Sequence, residues 1–177
     1  KKKKKKKIVV PLWVCQGGFA GDSVVPPEHR LEKFKGKEMM ATYNLGGAIP
    51  DAEFLFSSQT ENVINRIRMV AKNVCHGVVY DEELHLKMRA IKDGKPGLEL
   101  IYDAMDGYLS RRPAGKKLHD PLAAVVALVP EVCNYTHVTP HRVKGQWGSK
   151  LLRGAQQGRI DIAVSFNRQV FEEAFMY

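Results

Sequence analysis

The sequence has no apolar run near the ~20 residues that a bilayer-crossing helix requires, so nothing in it reads as a membrane span. Cysteine is scarce. Its three copies, Cys15, Cys75 and Cys133, are odd in number and scattered, with no Cys-x-x-Cys spacing to suggest zinc. Each stands among apolar residues, which suits free buried thiols in a reducing compartment. No secretory leader is expected in this stretch, because Pro11 and the Gly17-Gly18 pair break the first apolar run early. These absences lead us to expect a cytoplasmic protein. No internal repeat or linker divides the chain, so its 177 residues read as one domain, long enough for a real core.

Excess charge is confined to one place. The formal net charge is +9, with 28 basic and 19 acidic residues, but Lys1 to Lys7 supply seven of the basic ones. Without them 21 basic residues face 19 acidic ones, and the body is nearly neutral. Seven consecutive lysines bury nothing, so residues 1–7 are expected to be a disordered tail or an artificial terminus. Such a block is also able to attract the phosphates of a nucleic acid. The folded unit is then 8–177.

Within that unit, Ile8 to Val14 is a continuous apolar run closed by Gly17-Gly18, the pattern of a strand buried on both faces. Glycines at the carboxyl end of such a strand mark where open α/β sheets bind ligands. Ile67 to Val70 reads as a second strand. Asn44-Leu45-Gly46-Gly47 is a turn signal, and Pro50 opens a helix through Ala52-Glu53-Phe54. Asp81 to Ile91 is helical in pattern, and a second helix starts at Pro96, with Leu98, Ile101, Met105 and Leu109 on one face. Val132 to Val143 and Arg159 to Val164 suggest strands. With Gln146-Trp147-Gly148 as the turn, they make a C-terminal β-hairpin, and Phe166 to Tyr177 is a last helix that Asn167 caps. The expected class is α/β: a Rossmann-like, mostly parallel sheet flanked by helices, with that hairpin at the end.

The chemistry concentrates in Lys117-Leu118-His119-Asp120-Pro121-Leu122-Ala123. Asp120 is a strong N-cap type, and Pro121 suits a first helical position. Leu122, Val125, Val126 and Val129 follow at helical spacing until Pro130 stops the run. An imidazole and a carboxylate therefore stand together at the mouth of a buried helix. The carboxylate is able to hold a metal and the imidazole to pass a proton. Equally, Asp120 only caps and His119 is an ordinary loop residue.

His119-Asp120-Pro121-Leu122-Ala123 opening an apolar helix resembles the nucleoside hydrolases of the inosine-uridine-preferring type, which cleave the N-glycosidic bond of ribonucleosides. Two upstream segments match in order. One is Asn44 with Ala52-Glu53-Phe54, where the family reads Asn and Ala-Glu-Phe-Asn; Leu55 replaces the last Asn. The other is Val74-Cys75-His76, where the family reads Val-Thr-His. At the end of the first strand, Gln16-Gly17-Gly18 stands where the family has Met-Gly-Gly.

The resemblance implies a role for each residue. His119 would be the leaving-group acid, Asp120 a calcium ligand, and Asn44 and Glu53 the grip on the ribose hydroxyls. Gln16 would lie beside the substrate, and Tyr108 near the leaving base. Bland readings stand beside these: a helix-start Glu53 near a positive dipole end, a turn Asn44, a strand-to-loop turn at Gln16 and a packing Tyr108. His76 reads as structural.

The family's aspartate-rich motif, Asp-x-Asp-Pro-Gly-x-Asp-Asp, and its Gly-Pro-Leu-Thr-Asn-like turn are nowhere in the sequence. They would supply the general base and most calcium ligands, so the resemblance covers only the later part of the family's fold. The chain is then part of a longer enzyme, a shortened relative, or half of a site completed by a second chain or another copy. Three functions follow: ribonucleoside hydrolysis, ribose or nucleoside binding without turnover, and N-glycosidase action on RNA steered by Lys1 to Lys7.

Overall fold

The computed structural model describes residues 8–152 and 158–177; the lysine block Lys1 to Lys7 lies outside them. In chain order the strands are β1 (Val10–Gln16), β2 (Met39–Met40), β3 (Ile64–Val70), β4 (Val79–Tyr80), β5 (Lys116–Lys117), β6 (Cys133–Val143), β7 (Gln146–Leu151) and β8 (Ile160–Phe166). The helices are α1 (Tyr43–Gly47), α2 (Ile49–Phe56), α3 (Lys72–Cys75), α4 (Glu82–Arg89), α5 (Pro96–Leu109), α6 (His119–Leu128) and α7 (Arg168–Met176). No described helix is long and apolar enough to cross a membrane.

The main sheet has six strands in the order β1-β3-β8-β6-β7-β2. Its parallel part is β1-β3-β8, and β6, β7 and β2 extend it antiparallel. The expected α/β architecture holds, with helices on both faces. Alternation along β8 shows this directly. Ile160, Ile162 and Val164 enter one apolar cluster with Leu45 of α1 and Ala52 of α2; Ala163 enters the other, with Leu84, Met105, Leu122, Val126 and Phe171 of the later helices. The side chains of one strand serve two cores because the sheet is a middle layer.

Three local expectations change. First, β1 is an edge strand rather than a strand buried on both faces. Among the described residues it pairs only with β3, and Ile8 and Val9 ahead of it are exposed. Second, the C-terminal hairpin is β6–β7, not β6 with residues 159–164. It turns at Lys144-Gly145, both with positive φ (48° and 80°), the geometry of a two-residue hairpin loop. Gln146-Trp147-Gly148 is strand, and Ile160–Phe166 is the central strand between β3 and β6. Third, α6 begins at His119, so Asp120 is in its first turn; the capping position is Leu118, which makes no side-chain cap. The Asn167 cap is as expected, its Oδ1 accepting from Val170 N at 3.2 Å.

The carboxyl ends of β1 and β3 are tied together. Gly17 N donates to Val70 O at 3.1 Å, and Lys72 N donates to Gly18 O at 3.3 Å. Gly18 has φ +83°, a backbone conformation that favours glycine, and a Cβ there would have to displace the Met69 methyl. Beneath the join, Asn73 is buried. Its Oδ1 accepts from Ala20 N at 3.2 Å and its Nδ2 donates to Ala163 O at 3.1 Å. This satisfied amide fixes where α3 starts, and thereby where Cys75 and His76 stand.

Candidate functional site

A polar cluster sits at this carboxyl edge. Asn44 Nδ2, on α1, donates to both the backbone O (3.0 Å) and the side-chain Oε1 (2.7 Å) of Gln16. Gln16 Nε2 in turn donates to Cys75 Sγ at 3.3 Å. Next to it the imidazoles of His76 and His119 stack, 4.5 Å between centroids and 20° from parallel. The thiol and the two imidazoles bring one ligand atom each within 4.8 Å of one another. Residues from β1, α1, the end of α3 and the start of α6 therefore meet at one point, outside the strands' carboxyl ends, where this sheet type binds ligands.

The charge around the pair is positive. Lys33 Nζ donates to His76 Nδ1 at 2.6 Å, and Lys72 Nζ donates to Ala41 O at 2.7 Å. Lys117 is close enough to Lys33 that burial and this neighbour together bring the Lys33 amine down to about 8. Burial, then Lys33 and His119, hold His76 down to about 4, so its ring is neutral at neutral pH. His119 is also lowered, first by burial and then by Lys117, with Asp120 pulling the other way. Burial pushes the Cys75 thiol up to about 11, too high for a ready nucleophile. His119 Nε2 is buried and has no hydrogen-bond partner. Buried polar atoms are normally paired, so this unsatisfied ring nitrogen needs an explanation.

The structure brings His119, Gln16 and Asn44 into one neighbourhood and adds His76 and Cys75. It does not bring Glu53 there. The Glu53 carboxylate accepts from Arg142 of β6, at 2.8 Å, and its helix packs on the opposite face of the sheet from α6. Tyr108 lies on α5 against the second core, with the Lys116 ammonium 5.2 Å and the Arg112 guanidinium 5.6 Å from its ring, which is a packing role. Asp120 is exposed on the first turn of α6. The two larger hollows, about 570 and 630 Å³, run along α7 near Arg168 and near Val129, away from His119.

Calcium can be tested on the donor set. It takes about six to eight oxygen ligands. Here the converging atoms are one thiol and two imidazoles, and Asp120 is the only described carboxylate that acts on them. A dication there would also be repelled by the neighbouring Lys33, Lys72 and Lys117. The donors do not fit calcium.

The order of strands and helices has relatives among solved structures. This chain has a nucleoside-hydrolase-like fold. It superposes on the purine-preferring ribonucleoside hydrolase from Gardnerella vaginalis with a TM-score of 0.52 and 21% identity, over 72% of this chain and 42% of that one. An inosine-guanosine nucleoside hydrolase aligns over 63% of this chain and 38% of its own, with 14% identity and a TM-score of 0.48. The chain thus spans about two fifths of the length of the solved structures it matches. No family model matches it, and no curated protein matches it by sequence.

Sequence reasoning set His76 aside and passed over Lys33. Val74-Cys75-His76 directly after a strand was the signal available for the first. Nothing local marks the second, which sits 43 residues from its partner.

Proposed function

We propose that the chain acts on N-ribosides at the carboxyl edge of β1 and β3, and that the reaction is hydrolysis of the N-glycosidic bond. The observation that carries this reading is the position of His119: an imidazole with an unpartnered Nε2, at the strand edge where this fold class binds ligands, in a nucleoside-hydrolase-like fold. Breaking a ribosyl C–N bond places positive charge on the sugar and negative charge on the departing base. As the C–N bond breaks, a water oxygen bonds to the anomeric carbon and loses a proton to solvent, while a protonated His119 gives its proton to the departing base nitrogen. Its lowered pKa makes that proton easy to give. Gln16 and Asn44 already form a chain of amides at the same edge, and such groups offer donors and acceptors that match a diol. Asp120 is the carboxylate whose charge acts on His119.

A second reading is favoured by one observation: Glu53 is held by Arg142, while Asp120 is the carboxylate whose charge acts on His119. A chain so equipped binds an N-riboside without turning it over. The two are separated by chromatography of free base after incubation with inosine, adenosine or uridine. Hydrolysis requires base release that His119→Ala removes. Saturable inosine binding with no release establishes the binding module, and neither binding nor release rejects both.

A further inference from the structure

Lysines at this edge are unlike the basic side chains that carry ion pairs elsewhere in the described residues. Lys87 has Glu172 at 2.7 Å, Arg66 has Asp161 at 2.7 Å, Arg142 has Glu53 at 2.8 Å and Arg168 has Asp81 at 2.9 Å. Among the described residues, Lys33, Lys72 and Lys117 have no carboxylate in ion-pair range. Lys33 instead faces a neutral imidazole and another lysine, and Lys72 donates to the Ala41 carbonyl. They come from three separate segments: the loop before β2, the first residue of α3 and the short strand β5. The fold therefore gathers like charges that chain order does not, although like charges repel when brought together.

What relieves such crowding is an anion with several acceptor oxygens. A phosphate carries close to two negative charges and three strong acceptors, enough for several ammoniums at once. Lys72 keeps two donors beyond the one given to Ala41, since an ammonium has three. The start of α6 lies alongside and adds the positive end of a ten-residue helix.

We propose that Lys33, Lys72 and Lys117 form a dianion site on the rim of the His76–His119 pair, which takes the phosphate of a phosphorylated riboside. The riboside part rests on the function proposed above; the phosphate part rests on the lysines alone. The ligand class is therefore nucleoside monophosphates rather than free nucleosides.

Calorimetric titration of the full chain with inosine, inosine 5′-monophosphate and inorganic phosphate tests this. The monophosphate should bind about ten-fold or more tightly than inosine, the scale of one or two hydrogen bonds to a charged group. Lys33→Gln and Lys117→Gln should each shrink that ratio, with thermal melting unchanged. A preference that persists while neither compound releases base supports the dianion site and overturns only hydrolysis. Equal affinity for inosine and its monophosphate overturns the proposal, as does a preference that survives in the double variant. Lysine-dependent binding of inorganic phosphate with no binding of either inosine compound also overturns it, and reduces the cluster to a free-phosphate site.

Discussion

His76 accepts a hydrogen bond at Nδ1 from the Lys33 ammonium, 2.6 Å away, so the fold holds this ring in its unprotonated form. Burial and the neighbouring cations bring its folded pKa from 6.5 to about 4. Between those values the unfolded chain binds a proton that the folded chain refuses. Stability from this group is present above pH ~6.5 and is lost as pH falls towards ~4. Thermal unfolding from pH 4 to 7 should show the midpoint dropping on the acid side. His76→Gln should flatten that slope; an unchanged slope would falsify the account of His76.

His119→Ala should lower base release by about 100- to 10,000-fold, the usual contribution of a positioned general acid. His119 is half-buried at the first position of α6, so circular dichroism should remain native. Because its pKa is lowered, the protonated fraction grows as pH falls, and kcat should climb on the acid side of neutrality while the fold survives. A rate independent of pH and of this side chain would remove His119 from the chemistry.

Glu53→Gln should leave inosine affinity within about two-fold of the wild type, because its carboxylate is spent on Arg142; the half-exposed pair is worth only ~0.2–1 kcal/mol of stability. Asn44→Ala, by contrast, breaks both hydrogen bonds to Gln16 and should raise KM. If the two variants behaved in the opposite way, the ribose would lie against α2.

Leu122 is fully buried in the core beneath α6, and Leu122→Ala should cost about 2–5 kcal/mol by denaturant titration, through lost transfer energy and the cavity left behind. Gly18→Ala should cost on the order of 1–3 kcal/mol from positive φ alone, before the clash with Met69 is added.

Much of the fold was legible because its signals are local. The apolar runs of β1 and β3, the helical spacing of Leu98, Ile101 and Met105, and the Asn167 cap each need only a few neighbours to be recognised. The hairpin was misplaced because its turn is Lys144-Gly145, which lacks the Asn-Gly signature, while Trp147-Gly148 looks like a turn and is strand. The edge position of β1 was hidden because an apolar run does not say how many partners it will have. Of the cluster, His119, Asn44 and Gln16 were singled out in the sequence. The stacking of His76 on His119, the lysine ring and the diversion of Glu53 to Arg142 all depend on contacts between distant segments.

The paired backbone hydrogen bonds from Gly17 to Val70, and from Lys72 to Gly18, stitch the floor of the cluster into a single plate. Backbone adjustment there would break both at once. Any accommodation to differently shaped guests therefore falls to the long, rotatable lysine arms around the plate. Selectivity should accordingly be retuned more readily by exchanging those arms than by reshaping the two strands that carry them.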